Sequence, residues 1–316
     1  MNCLSLNIRG VGEDEKVNWV RRLKVHHRVT FVGLQETQIS DFASINVNGC
    51  WDSNEFDFDG VVSNGRSGGL ISIWDNRCFQ KIEVIKNRHF LIIIGKCKII
   101  EGNLNMVNVY GPQSLAEKKK LWDELIRIKN ERPCMWVVFG DLNAVRYPSE
   151  RCNSKFYPSS AFAFNKFIQE ADLKEFNMGG ERFTFMSWVD AKLSKLNRFL
   201  VCSSYLNSFP FSAVIAHPRE LSDHSPITLQ SAVSDFGPIP FKLFNSWLFR
   251  EGFDQIVSDA WNQFMGFGTS DAYFAAKLRF LKNSIKKWRK EEIQKEMKEL
   301  SDTKFLVKDL EKLAKF

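Results

Sequence analysis

The stretch Met135-Trp136-Val137-Val138-Phe139-Gly140-Asp141-Leu142-Asn143 decides the fold and points to the functional site. It contains an apolar run, which predicts a buried strand over 134–139. The run ends at a glycine, an aspartate and an asparagine. Because α/β proteins place binding and catalytic groups on the loops that follow buried strands, we expect Asp141 and Asn143 to lie in such a site.

Two more apolar runs adjoin polar groups of the same kind. The run over 30–35 closes at Glu36, and Ser222-Asp223-His224-Ser225-Pro226 leads into the run over 227–229. Carboxylates, an amide and a histidine at the ends of neighbouring strands are typical of a site that binds a hard metal ion and a phosphodiester.

Each of these groups suits one part of phosphodiester hydrolysis, which needs a cation, an activated water and stabilisation of the leaving oxygen. Mg²⁺ takes oxygen ligands and usually one or two carboxylates, which makes Glu36 the natural metal ligand. Asp141 can orient or deprotonate the water, and Asn143 can donate a hydrogen bond to the phosphate. His224 can donate to the phosphate as negative charge develops.

Length and composition are those of an ordinary globular protein. The chain has 316 residues, of which 44% are hydrophobic and 26% charged, enough for one large domain and a smaller appendage. Its seven cysteines are odd in number and form no CxxC pair, which favours a reducing compartment, the nucleus or the cytoplasm. With no run of 18 apolar residues and no signal peptide, we expect neither secretion nor a membrane span.

The net charge of +7 is concentrated at the C-terminal end. Residues 277–316 hold 13 Lys and Arg against 7 Asp and Glu, so the rest of the chain is nearly neutral. Leu278, Leu281, Ile285 and Trp288 follow helical spacing, which predicts one long amphipathic helix or two helices joined near 301–303. The first interpretation is that the basic side chains of this helix face the solvent. The alternative is that residues 277–316 bind nucleic acid or a helix partner.

Short apolar runs and helical segments alternate over the first part of the chain. This mixture predicts an α/β (α+β) fold in which helices cover a sandwich of two sheets. The runs between 61 and 110 suggest an antiparallel meander, and Gly237-Pro238-Ile239-Pro240 reads as a linker. We therefore predict a main domain over 1–233, followed by a linker and a helical extension over 234–316. Strands are predicted over 2–8, 31–36, 69–74, 79–85, 90–94, 99–101, 106–110, 134–139, 183–188, 197–201, 212–216 and 227–229, and helices over 13–24, 114–130 and 160–171, the last with Phe162, Phe164, Phe167 and Ile168 on its apolar side.

Five motifs in order resemble those of the endonuclease/exonuclease/phosphatase superfamily over about residues 1–233. They are Leu6-Asn7-Ile8-Arg9-Gly10, Leu34-Gln35-Glu36-Thr37, Val109-Tyr110-Gly111-Pro112, Gly140-Asp141-Leu142-Asn143 and Ser222-Asp223-His224-Ser225-Pro226. Within the superfamily the chain is similar to the endonuclease of plant LINE-type (non-LTR) retrotransposons. That similarity is carried by Gly65-Arg66-Ser67-Gly68-Gly69-Leu70, Pro148-Ser149-Glu150-Arg151 and Asn197-Arg198-Phe199-Leu200-Val201.

The resemblance implies a four-layer sandwich of two mostly antiparallel sheets flanked by helices, and a DNA-nicking enzyme that uses Mg²⁺, with Mn²⁺ as a substitute. It also implies that the partner is DNA, contacted through its phosphodiester backbone. The implied roles are metal binding by Glu36, Asn7 and Asp223, water positioning by Asp141, phosphate contact by Asn143, support of the phosphate or leaving group by Tyr110, proton donation by His224 and backbone contact by Arg151.

One position departs from the family pattern. The family has aspartate where this chain has Asn197, and that aspartate pairs with the histidine and fixes its tautomer and charge. An amide can hydrogen-bond the imidazole but cannot stabilise the imidazolium, so the pKa of His224 should be lower than with aspartate. If His224 must be protonated, we expect activity to fall by about 10²–10⁴-fold or more, because general acid catalysis contributes about that much. The chain then has the weakened or lost activity of a decaying retroelement copy.

The C-terminal end also resembles plant LINE elements, in which the nuclease is followed by a connector like Phe244-Asn245-Ser246-Trp247-Leu248, a basic helix and reverse transcriptase. We therefore expect a truncated fragment of such a polyprotein. Two other functions remain open at this point. One is a phosphatase of small phosphorylated substrates such as sugar or inositol phosphates, and the other is a catalytically dead fold that binds nucleic acid or a helix.

Overall fold

The chain divides into two compact units, Met1–Ser234 and Asp235–Phe316. The structure, a computed structural model, describes residues 1–42, 46–65, 68–98, 100, 102–187, 189, 191–231 and 241–313. The predicted linker over 237–240 lies outside the described residues, and so do the ends of the predicted run 99–101.

The described strands all belong to the first unit, whereas helices occur in both. The strands are β1 Cys3–Asn7, β2 Phe31–Gln35, β3 Phe56–Val61, β4 Leu70–Asp75, β5 Phe79–Asn87, β6 Phe90–Cys97, β7 Asn103–Tyr110, β8 Met135–Asp141, β9 Arg151–Cys152, β10 Leu173–Glu175, β11 Met178–Gly180, β12 Phe185–Met186, β13 Leu193–Ser194, β14 Asn197–Cys202, β15 Ala213–Ala216 and β16 Ile227–Gln230. The helices are α1 Asp14–His26, α2 Val47–Cys50, α3 Leu115–Glu131, α4 Pro158–Glu170, α5 Ser203–Ser208, α6 Phe253–Gln263 and α7 Ser270–Leu313.

Two large sheets form the first unit. The first has the strand order β11-β15-β16-β1-β2-β4-β3, in which β11–β15 and β1–β2 are the parallel pairs. The second has the order β10-β14-β8-β7-β6-β5, in which β7–β8 is the parallel pair. A small third sheet joins β12, β13 and β9. The predicted mixed fold with two mostly antiparallel sheets is therefore confirmed.

The alternation of side chains along β1 and β2 divides the core in two. Leu4 and Leu6 belong to the cluster that contains α1, whereas Cys3 belongs to the cluster shared with the second sheet. Between the sheets, the rings of Phe31 and Phe139 meet edge to face at 6.1 Å. Gly33 is required there, since an added Cβ would lie 2.2 Å from the Phe139 ring.

Helices cover the outer face of each sheet. In α1, Val17, Trp19 and Val20 are buried against the first sheet. On the other side, Trp122 of α3 stacks on Phe167 of α4 with ring centroids 4.6 Å apart, and both join the core of the second sheet. The helix α3 begins as predicted at a capping box, in which the Ser114 hydroxyl accepts a hydrogen bond from the Glu117 amide at 3.2 Å.

Some local predictions were wrong. The runs between 61 and 110 do not form one meander, because the chain passes from the first sheet to the second between β4 and β5. The strand β3 was not predicted, although its Phe-Asp alternation suits an edge strand with one polar face. Of the predicted strand 183–188, Phe185–Met186 forms β12, and Trp188 lies outside the described residues. Phe162 is 72% exposed instead of lying on the apolar side of α4.

The second unit contains α6 and α7. The predicted amphipathic helix is a single one, Ser270–Leu313, without a break near 301–303. The small apolar core of the second unit contains Phe253, Ile285 and Trp288, and the rings of Phe253 and Trp288 meet edge to face at 5.3 Å. None of the helices among the described residues is both long and apolar enough to cross a bilayer.

Candidate active site

Strand register brings the predicted site residues to one end of the sandwich. In the second sheet, Tyr110 of β7 and Asn197 of β14 are both in register with Asp141 of β8. In the first sheet, Asn7 of β1 is in register with Gln35, the residue before Glu36. The Asn7 amide nitrogen joins the two sheets by donating to Asp141 Oδ2 at 2.9 Å.

Asp141 is almost completely buried, with 1% of its surface exposed. Its Oδ1 accepts the backbone N–H of Asn143 at 3.0 Å. Gly140 adopts a φ of +135°, and an added Cβ there would lie 2.0 Å from the Val109 carbonyl oxygen. Burial raises the pKa of Asp141, and the hydrogen bond from Asn7 opposes that rise. Asp141 is thus a rigidly held carboxyl group with an increased affinity for a proton.

Two hydrogen bonds of Asn143, one from its side chain and one to its backbone carbonyl, hold the loop after β8. Asn143 has a left-handed φ of +49°. Its side-chain nitrogen donates to the Gly111 carbonyl at 2.7 Å. Its own carbonyl accepts from Lys118 Nζ at 2.6 Å. Lys118 is only 7% exposed, and burial lowers its pKa. These contacts of Asn143 hold the loop in place. Its contact with phosphate stays a prediction.

Glu36 lies at the end of β2 in a left-handed conformation, with a φ of +50°. The Tyr110 hydroxyl donates a hydrogen bond to Glu36 Oε1. Burial and this hydrogen bond both raise the pKa of Tyr110, so the phenol stays protonated. The structure thus places Tyr110 against the predicted metal ligand, where it orients one carboxylate oxygen.

Arg9 lies between two of the predicted metal ligands. Its Nε is 3.4 Å from Glu36 Oε2, and its Nη1 donates to Asp223 Oδ2. The Asp223 side chain is 3% exposed and that of Glu36 14%, whereas the Arg9 side chain is 52% exposed. One guanidinium group therefore contacts both carboxylates and offsets one of their two negative charges.

His224 faces Asp141 from the loop before β16. Its Nε2 is 3.7 Å from Asp141 Oδ2, and its Nδ1 is 2.7 Å from Asn197 Oδ1. Burial lowers the pKa of His224 to about 4, although Asp223 and Glu36 act in the opposite direction. The imidazole is therefore neutral at pH 7. The Asn197 Nδ2 group is buried and has no hydrogen-bond partner among the described residues.

Ser222 connects the His224 loop to β1. Its hydroxyl donates to the Asn7 carbonyl at 2.7 Å and accepts the His224 backbone N–H at 3.1 Å. This contact explains why the Ser-Asp-His motif and the asparagine of β1 belong to one site although 215 positions separate Asn7 from Ser222.

A buried ion network supports the loop behind the site. Arg198 of β14 has a fully buried side chain and donates to Glu150 at 2.6 Å and to Glu175 at 2.6 Å. A third donation reaches the Ala144 carbonyl at 3.3 Å, in the loop that follows Asn143. Burial opposes ionisation of Glu175, but Arg198 and Lys195 prevail and lower its pKa to about 2.

An open cavity of about 530 Å³ lies over these groups. Predicted site residues line it: Glu36, Asp141, Asn143, Arg151 and His224. Arg9 and Lys118 add positive charge to the wall. The other predicted residues, Asn7, Tyr110, Asn197 and Asp223, contact the lining residues from behind.

The oxygen donors in this site suit a hard cation. Among the described residues, no three His, Cys, Asp or Glu side chains are grouped so that they could hold a metal by themselves. Mg²⁺ does not need such a group, because it usually takes one or two carboxylates and keeps water and substrate oxygens as its other ligands. Glu36 and Asp223, which already share one positive group, meet that requirement with Asn7 beside them.

Three residues of the site had no role in the sequence analysis: Arg9, Lys118 and Arg198. Lys118 had a visible signal, since it occupies a position of the apolar stripe that continues with Leu121, Trp122 and Leu125. Arg198 had one too, as a charged residue inside an apolar strand. Nothing in the chain pattern indicated that Arg9 would contact two carboxylates from separate loops.

The geometry defines a class of protein: a two-sheet α/β sandwich with acidic and basic groups around a cavity at its strand ends. A family model described as "Endonuclease/Exonuclease/phosphatase family" matches residues 4–238. The chain therefore belongs to the endonuclease/exonuclease/phosphatase family.

Solved structures of similar fold include AP endonucleases. An AP endonuclease from Archaeoglobus fulgidus is 14% identical with a TM-score of 0.58, and the match covers 73% of this chain and 98% of that one. The AP endonuclease LMAP from Leishmania major is 15% identical with a TM-score of 0.57, over 72% and 86% of the two chains. The Xenopus laevis APE2 catalytic domain is 13% identical with a TM-score of 0.56, over 73% and 91%. At these identities the likeness concerns the fold.

Proposed function

We propose that the chain is a Mg²⁺-dependent phosphodiesterase that nicks DNA, similar to the endonuclease of plant LINE-type retrotransposons. One observation carries the proposal: Asp141, bound to Asn7 and 3.7 Å from the His224 imidazole, lies at a cavity with basic groups on its wall. Positive groups around a cavity attract the phosphate backbone of nucleic acids. The AP endonucleases among the structural neighbours support the same choice of substrate.

Glu36 and Asp223, with the Asn7 amide oxygen beside them, would hold the cation. When bound, it neutralises charge on the phosphate oxygens. Tyr110 orients the Glu36 carboxylate, and Asp141, whose pKa is raised by burial, takes the proton of the attacking water. Asn143 and Arg151 contact phosphate oxygens from the cavity wall. In this arrangement His224 Nδ1 donates to Asn197 Oδ1, which leaves Nε2 without a proton unless the ring becomes charged. Activity is therefore expected but weak at neutral pH.

Nicking of supercoiled plasmid by the full chain tests the proposal. We expect relaxed circles to form with Mg²⁺, to disappear with EDTA, and to fall at least about 100-fold in rate in Glu36→Ala, as expected when a charged group that organises catalysis is lost. The matched control is Glu117→Ala, an exposed carboxylate on α3 that lies outside the site. Metal-independent nicking, or equal rates in the two variants, would contradict the proposal.

Assays of phosphate release and of DNA binding, run beside plasmid nicking, separate the other functions. Release of phosphate from small phosphomonoesters without nicking would identify a phosphatase. Salt-dependent DNA binding without hydrolysis, lost on deletion of 277–316, would identify a binding protein whose helix carries the interaction. The proposed origin from a retrotransposon polyprotein is a separate hypothesis, which rests on the motifs alone.

A further inference from the structure

The two carboxylates proposed to hold the cation already share a positive charge from the protein itself. Arg9 contacts Glu36 through Nε at 3.4 Å and Asp223 through Nη1. These nitrogens belong to one planar guanidinium, whose donors have fixed directions. Two carboxylates close together repel each other, particularly where they are shielded from water, and the guanidinium between them offsets that repulsion.

The backbone holds Arg9 in this place. Arg9 has a left-handed φ of +48°, and its N–H is directed at Asn7 Oδ1 at 3.3 Å. The next residue, Gly10, donates its N–H to the Glu36 carbonyl at 2.7 Å. The turn after β1 is thereby attached to the turn after β2. The two ion pairs are consequently built into the site and differ from a freely moving surface pair.

We propose that Arg9 competes with the divalent cation for Glu36 and Asp223. In the metal-free chain the guanidinium pairs with both carboxylates and offsets one of their two negative charges, and binding of a cation breaks both ion pairs. The inference rests on the proposed function in assuming that a cation binds at these carboxylates. The released guanidinium remains in the cavity, where its half-exposed side chain can pair with a phosphate oxygen. The cation and the substrate should therefore each increase the affinity for the other, because both stabilise the conformation in which Arg9 has left the carboxylates.

Titration of the full chain with Mn²⁺, followed by electron paramagnetic resonance without DNA, measures the competition directly. We expect Arg9→Gln to bind Mn²⁺ about tenfold more tightly than the wild type, because the cation no longer has to break the two ion pairs of the half-exposed Arg9 side chain. Arg9→Lys should show a smaller gain, since it keeps the charge but loses the two-pronged contact.

Arg151→Gln is the matched control, because it removes one positive charge from the same cavity without touching either carboxylate. Its Mn²⁺ affinity should stay within about twofold of the wild type, as expected for screened charges that lack direct contact. In the wild type, the Nε–H resonance of ¹⁵N-labelled Arg9, assigned through Arg9→Gln, should shift when Mg²⁺ is added. This second readout does not depend on the variant's stability.

The outcomes separate this inference from the proposed function. Unchanged or weaker Mn²⁺ binding by Arg9→Gln would overturn it, and so would an equal gain in Arg151→Gln, which would indicate net charge alone. Tighter binding in Arg9→Gln, without nicking by any variant, would support the competition and count against the nuclease. No Mn²⁺ binding by any variant, with an unmoved Arg9 resonance, would overturn both.

Discussion

Replacing Asn197 with aspartate should restore charge to His224. In the wild type the pKa of about 4 leaves about 0.1% of the imidazole protonated at pH 7. A carboxylate in place of the amide oxygen, 2.7 Å from Nδ1, should raise that pKa by about 1–3 units. The protonated fraction at pH 7 then increases to between about 1% and about 50%.

The nicking rate should increase with the protonated fraction. If His224 donates a proton or a charged hydrogen bond to the phosphate, we expect Asn197→Asp to nick about 10- to 500-fold faster at pH 7, in proportion to the protonated fraction and below the upper limit of what general acids contribute. The wild type should instead become faster as the pH falls toward 5, since its imidazole gains protons there. Because the buried Nδ2 group of Asn197 has no partner among the described residues, the substitution breaks no hydrogen bond of that group.

Two measurements check this prediction. Nuclear magnetic resonance of the imidazole in the metal-free chain gives the pKa of His224 in both forms, and plasmid nicking with Mg²⁺ gives the rate against pH. The control is the double variant Asn197→Asp with His224→Gln, in which the gain should vanish. A raised pKa without a faster rate would show that His224 does not act as an imidazolium, and an unchanged pKa would refute the interaction between the two side chains.

The free energy of unfolding of the metal-free chain should also depend on the protonation of His224. The pKa of His224 in the folded state lies below its unfolded value of about 6.5, so the unfolded chain binds more protons between these values. The contribution of this group to stability is therefore lost as the pH falls from about 7 toward about 4, and raising the folded pKa in Asn197→Asp should flatten that loss. Denaturant unfolding at several pH values measures the difference between the two chains.

Two further predictions concern residues that hold the site. Lys118→Met should lower the nicking rate by about 10–100-fold while changing DNA affinity less, because Asn143 loses the charged hydrogen bond to its carbonyl, worth about 1.5–3 kcal/mol. Steady-state rates and DNA titrations separate the two effects, and a purely structural role would affect both equally. Arg198→Met should lower the free energy of unfolding by up to about 3–5 kcal/mol, because Glu150 and Glu175 lose the buried guanidinium that they share and Glu175 keeps only its pairs with Lys195 and Arg146. The exposed pair Arg127–Glu131 is the control, since Arg127→Met should cost less than about 1 kcal/mol in the same denaturant titration, and equal losses would contradict the argument.

Much of the fold followed from local pattern. The strand around Val138 and the helix that begins after Ser114 were predictable, because an apolar run and a capping box are local chemical features. The assignment of strands to sheets was not, since β4 and β5 are separated by a short turn and yet enter different sheets. Phe162 was assigned to the wrong face although it lies two residues before the buried Phe164, a separation of about 200° around a helix that places it on the opposite side.

The sequence by itself determined which chemical groups are present, namely the acids, amides and histidine at strand ends, the substitution at Asn197 and the family motifs that join them. Tertiary structure decided what each group contacts. Parallel pairing of β7 with β8 placed Tyr110 beside Asp141, and the packing of the two sheets brought Asn7 to Asp141 across 134 positions. It also placed Arg9 between Glu36 and Asp223, where its charge faces the proposed cation. The physical reason is that side-chain chemistry is local, whereas burial, charge balance and hydrogen-bond partners arise only when distant strands share one register and one core.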